Sequence, residues 1–142
     1  MRDEKTPPVD LPVRTKEFAL RVIRRYCSLP KSTQAQVLGK QVLRSGTSVG
    51  ANFREAKRSR SKSEFIAKIG DCLKELDETA YWLELLVESG IISAAKMKGL
   101  YQECDELIAI LTTISKKTKA SALHTSSFIP QPFLHSSHAF HP

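Results

Sequence analysis

Of the residues in this 142-residue chain that could do chemistry, two carboxylates and an indole are the most tightly grouped. Glu75, Glu78 and Trp82 recur at i, i+3 and i+7, so a helix aligns them along one edge. Paired carboxylates suit acid–base hydrolysis or a two-metal site. Two-metal bundles, however, add a Glu-x-x-His motif, which is absent here. The reading favoured is a structural polar network, in which Glu75 or Glu78 receives hydrogen bonds from Asn52 or ion pairs from the second helix.

The other reactive side chains are poorly placed for catalysis. His124, His135, His138 and His141 all lie near the C-terminal end, in a stretch without periodicity, so Ser-His-Asp and Cys-His chemistry has no scaffold. His135, His138 and His141 are spaced to chelate a metal, but no fixed geometry holds them. Cys27, Cys72 and Cys104 are far apart and beside apolar stripes, which reads as buried structural thiols. Gly46 and Gly50 follow no strand and match no phosphate loop. They sit in the small-residue run 45–52, which lets a second helix approach closely. The expectation is a non-enzyme with no catalytic residue, no metal and no cofactor.

The elements that must position these residues are helical. Phe18, Val22, Ile23, Tyr26 and Cys27 mark a first helix over 14–28, stopped by Leu29-Pro30. A second runs from Ser32 or Thr33 to near Arg58, with Val37, Leu38, Val42, Ser45, Val49, Asn52, Phe53 and Ala56 inward. A third starts after Ser61 or Ser63 and stops at Gly90. A fourth, capped by Ser93, ends in the basic turn 116–119. Short connections favour an all-α, antiparallel up-down-up-down four-helix bundle over 14–118, between a flexible N-terminal segment 1–13 and a flexible tail 119–142. The N-terminus has no apolar leader and no stretch approaches the roughly 20 apolar residues of a membrane span, so the expected location is cytoplasmic.

Charge is distributed unevenly along these helices. Residues 14–62 carry a net +11 and residues 63–115 a net −6, within a total of +7. At 100° per residue, Lys40, Arg44, Arg54 and Arg58 share one arc of the second helix, opposite Leu38, Val42, Val49 and Ala56. Lys57, Arg60 and Lys62 extend the positive density past the helix end, and Arg21, Arg24 and Arg25 add to it from the first helix. Such a ridge suits sequence-tolerant, salt-dependent contact with phosphates. The few aromatics nearby disfavour base stacking.

Three motifs in order then carry a resemblance. They are residues 44–56 (Arg44-Ser45-Gly46-Thr47-Ser48-Val49-Gly50-Ala51-Asn52-Phe53-Arg54-Glu55-Ala56), residues 61–66 (Ser61-Lys62-Ser63-Glu64-Phe65-Ile66) and residues 74–83 (Lys74-Glu75-Leu76-Asp77-Glu78-Thr79-Ala80-Tyr81-Trp82-Leu83). Together they resemble the 23S rRNA intervening-sequence protein family of bacteria, over about residues 14–118. The resemblance implies a four-helix bundle assembled as a homopentamer. A related group resembles the accessory variability proteins of diversity-generating retroelements, which bind nucleic acid and a reverse transcriptase. The family signature positions are Ser45, Ser48, Asn52, Glu55, Ala56, Phe65, Glu75, Glu78, Thr79 and Trp82. The expected function is an RNA- or DNA-binding homo-oligomer. The alternative is an adaptor whose basic face meets an acidic protein or its own neighbouring subunit, and a hydrolase built on Glu75 and Glu78 is a third reading.

Overall fold

The computed structural model describes residues 9–127, which form four helices: α1 (Leu11–Cys27), α2 (Thr33–Lys57), α3 (Lys62–Glu88) and α4 (Ala94–Ser127). No strand occurs among the described residues. Side chains satisfy the first exposed amides of each helix. Asp10 accepts from Val13 N at 3.2 Å, Ser32 from Ala35 N at 3.3 Å, Ser61 from Glu64 N at 3.1 Å, and Ser93 from Lys96 N at 3.3 Å. Ser61, not Ser63, is therefore the cap of α3. Gly90 ends that helix with a φ of 79°, a left-handed turn that glycine adopts without steric cost.

Two boundaries differ from the sequence reading. Helix α1 starts at Leu11 because Asp10 caps it and Pro12 occupies its first turn, where no amide is needed. Helix α4 runs past 118 to Ser127, since 119–127 holds neither glycine nor proline and the basic turn does not break a helix. The side chain of His124 and the residues His135, His138 and His141, whose spacing alone would allow chelation, lie outside the described ones.

Each helix packs against the next, and α1 closes against α4 along the most sparsely packed seam. Val49 meets Cys72 and Glu55 meets Lys68 between α2 and α3, while Glu84 meets Tyr101 and Leu76 meets Cys104 between α3 and α4. Phe18, Val22, Val42, Val49, Ile69, Leu76, Leu83, Met97, Leu107 and Leu111 fill one core. Burying each large apolar side chain contributes about 1.5–3 kcal/mol.

The small-residue run does what its composition suggests. A Cβ on Gly46 would stand 2.7 Å from Val22 Cγ2, and one on Gly50 would stand 3.4 Å from Thr15 Oγ1, so α1 lies directly on the α2 backbone. Two residues read as inward are not. Val37 is 56% exposed, because it lies only about 60° from the centre of the cationic arc, and Ile23 is 39% exposed. Cys27 is also exposed, at the last turn of α1 where no helix covers it. Cys72 and Cys104 are free and buried, and burial pushes each thiol up to about 12.

Candidate nucleic-acid interface

Helix α2 presents its cations as its periodicity requires. Lys40, Arg44, Arg54, Lys57 and Arg58 are exposed, and Arg60 and Lys62 are exposed in the turn to α3 and the first residue of α3. Opposite them, Val42, Val49, Phe53 and Ala56 are buried.

The third helix divides this ridge. Arg44 Nη2 donates to Glu78 at 2.8 Å and Nη1 to Glu75 at 3.3 Å. The Glu78 hydrogen bond raises the pKa of Arg44, and the same bond holds Glu78 below the usual carboxylate range. A carboxylate stabilised in its charged form is a poor proton donor near neutral pH, which weakens the hydrolase reading. Of the two donors expected for a network at Glu75 and Glu78, the ion pair from α2 is the one present, through Arg44, while Asn52 is half-buried.

The rest of the ridge is less neutralised. Lys40, Arg54, Lys57, Arg58, Arg60 and Lys62 have no carboxylate within ion-pair distance among the described residues. Glu55 stands in their midst but is paired at 2.6 Å with Lys68 of α3. Glu64 accepts the Arg60 backbone amide at 3.1 Å, and Lys62 Nζ donates to Ser121 Oγ at 2.8 Å, which ties the α2–α3 turn to the far part of α4. Arg54 and Arg58 also line a groove of about 400 Å³ against Pro12, Lys16 and Ala19 of α1. Sequence periodicity places cations on a face of one helix; it carries no signal of which carboxylate a second helix brings to them.

The small polar signature residues are structural. Thr79 Oγ1 lies 2.8 Å from Ser45 Oγ in the buried α2–α3 seam, and each hydroxyl is backed one turn earlier by a helix carbonyl, Glu75 O and Gln41 O. Ser48 donates to Arg44 O at 2.6 Å. The half-buried Trp82 ring sits edge-on to Tyr81 with centroids 5.1 Å apart, and its Nε1 is buried without a protein acceptor among the described residues. No three histidine, cysteine or carboxylate side chains among the described residues converge as metal ligands, and no helix of the structure is long and apolar enough to cross a membrane.

Comparison with known proteins agrees with this architecture. Residues 11–113 match the family described as 23S rRNA-intervening sequence protein. A crystal structure of a protein of unknown function from the S23 ribosomal protein family of Bacteroides thetaiotaomicron VPI-5482 is 39% identical, with a TM-score of 0.71. The similarity covers 75% of this chain and 98% of that one. No curated protein matches the sequence.

Proposed function

Given that the chain belongs to the 23S rRNA-intervening sequence protein family, we propose that it is a non-enzymatic, cytoplasmic homo-oligomer that binds the backbone of RNA or DNA. The observation that carries this reading is the set of exposed cations Arg54, Lys57, Arg58, Arg60 and Lys62 at one end of α2, none of which has a carboxylate within ion-pair distance among the described residues. Nucleic-acid backbones offer such a surface regularly spaced negative charge, and counterion release drives the contact. The finer architecture in this proposal is an antiparallel up-down-up-down bundle, supported by the opposed residue numbering across each seam. Self-association is supported by Val13, Leu20 and Ile23, apolar side chains left exposed on the outer face of α1. A pentamer is the assembly the family resemblance suggests. Free thiols suit the reducing cytoplasm.

Titration of the purified oligomer with labelled RNA and duplex DNA at several salt concentrations tests the reading. Replacing Arg54, Lys57 and Arg58 with Gln should lower the salt slope on duplex DNA by up to about 2.7, at about 0.9 per phosphate contact. Arg44→Gln should change it little, because Glu75 and Glu78 already hold that guanidinium. Absence of binding at about 50 mM salt, or a slope unchanged by the triple substitution, overturns the proposal.

One observation favours the adaptor alternative, namely that carboxylates of α3 already occupy Arg44. A neighbouring subunit or an acidic protein would extend that pattern to Arg54 and Arg58. This reading predicts a co-purifying protein whose complex survives nuclease. A reverse transcriptase as that partner rests on the family resemblance alone, and its recovery with the tagged chain is the corresponding check.

A further inference from the structure

Away from α2, a second basic feature is an open groove rather than a ridge. Arg21, Arg24 and Arg25 of α1 face Lys96, Gly99 and Leu100 of α4 across a cavity of about 310 Å³. It adjoins a hollow of about 300 Å³ that shares Arg25, Ser28 and Lys96 and reaches Ser93, the cap of α4. Each is at the small end of the range for ligand pockets.

The walls are built for an anion. Arg25 Nη2 donates to the Lys96 carbonyl at 2.9 Å, and a Cβ on Gly99 would stand 3.1 Å from Arg21 Nη2, so both guanidinium groups lie against the α4 backbone. None of Arg21, Arg24, Arg25 and Lys96 has a carboxylate within ion-pair distance among the described residues, and no acid lines the cavity. Elsewhere along the same seam a cation is neutralised, where Glu103 and Glu106 of α4 clamp Arg14 of α1. The start of α4 compounds the imbalance. Its first turn carries no acid and Lys96 and Lys98 follow, which puts cations at the positive end of the helix dipole. Four like charges around one hollow repel each other unless an anion sits among them.

We propose that this groove between α1 and α4 is an oxyanion site for a phosphate group, borne either by a small phosphate ester or by a nucleic-acid backbone. Arg21 and Arg24 supply planar, multidentate donors and Lys96 a point charge, the combination that suits phosphate oxygens. The site does not depend on the α2 ridge, so either can fail alone.

Amide spectra of the full isotope-labelled chain, titrated with inorganic phosphate against sodium chloride at matched ionic strength, test the proposal. Saturable shifts centred on Ser28, Lys96 and Gly99 are expected. An Arg21→Gln, Arg24→Gln, Lys96→Gln variant should weaken the affinity roughly tenfold or more, as expected for the loss of charged hydrogen bonds. The single Lys96→Gln change, at an exposed position, should weaken it in the same direction if the triple variant proves poorly folded. Arg54→Gln with Arg58→Gln should leave phosphate affinity unchanged, even if it abolishes nucleic-acid binding. Adenosine monophosphate and a short RNA lacking terminal phosphates then identify the source. Competition by the RNA at the same amides assigns the site to a backbone, and competition by the nucleotide alone assigns it to a free ester. Shifts that do not saturate, that centre elsewhere, or that persist in a folded triple variant overturn the proposal.

Discussion

Alanine at Gly46 and alanine at Gly70 should move stability in opposite directions. Both positions are helix interiors, where alanine is favoured over glycine by about 1 kcal/mol. At Gly70 nothing lies within 4 Å of the added methyl, so Gly70→Ala should gain that whole amount. At Gly46 the methyl would meet Val22 Cγ2 at 2.7 Å, Cγ1 at 2.9 Å and Cβ at 3.2 Å. Carbon atoms prefer about 3.5–4.0 Å, and a β-branched, fully buried valine has no other rotamer to retreat into. The only relief is to push α1 outward, and overpacking of that kind costs about 1–3 kcal/mol. With contacts nearly 1 Å short, the upper part of that range applies, leaving Gly46→Ala about 1–2 kcal/mol less stable than wild type after the propensity gain. Urea unfolding followed by far-ultraviolet circular dichroism, at one fixed protein concentration so that self-association is held constant, measures both. Val22→Ala should partly rescue Gly46→Ala, with a coupling of about 0.5–3 kcal/mol in the double-mutant cycle. Equal stability of the two glycine variants, or strict additivity with Val22→Ala, would refute the close α1–α2 approach.

The sparse α1–α4 seam should depend on Arg14, which donates through Nε to both Glu103 oxygens at 3.1 and 3.2 Å and through Nη2 to Glu106 at 2.6 Å. Arg14→Met should cost about 1–2 kcal/mol, reduced from the buried value because the side chain is partly solvated, and Glu106→Gln should cost less. A larger loss from Glu106→Gln in thermal unfolding would contradict this order. In native protein, a thiol reagent should modify Cys27 quickly and reach Cys72 and Cys104 only at the rate of unfolding, whereas three fast equivalents would disprove their burial. Those two thiols also set an alkaline limit. Their pKa rises from 9.0 unfolded to about 12 folded, so the unfolded chain releases protons first. Their stabilising contribution is complete below pH 9 and is lost as pH rises towards about 12, at up to roughly 1.4 kcal/mol per pH unit for each thiol. Cys72→Ala with Cys104→Ala should flatten that part of the stability profile, and an unaltered slope would exclude the thiols as its source.

Much of this architecture is written locally. A 3.6-residue apolar stripe needs only its own helix to be recognised, and Ser32, Ser61, Ser93 and Gly90 punctuate the chain through the first or last turn beside them. The direction of the basic arc on α2 follows from the same period. The start of α1 was legible too, in Asp10 followed by Pro12, but the cap lies ahead of the apolar pattern that drew the boundary to 14. The sequence by itself thus determined four helices, their inward faces and the side of α2 that carries positive charge, because each depends on residues a few positions apart. The tertiary structure alone decided that Glu75 and Glu78 take Arg44 out of that arc, that Val22 is what Gly46 makes room for, that Cys27 is left uncovered, and that Lys96 joins three arginines around one hollow. Those pairings join residues far apart in the chain, and helical periodicity specifies which face turns inward without specifying which side chain of another helix it will meet.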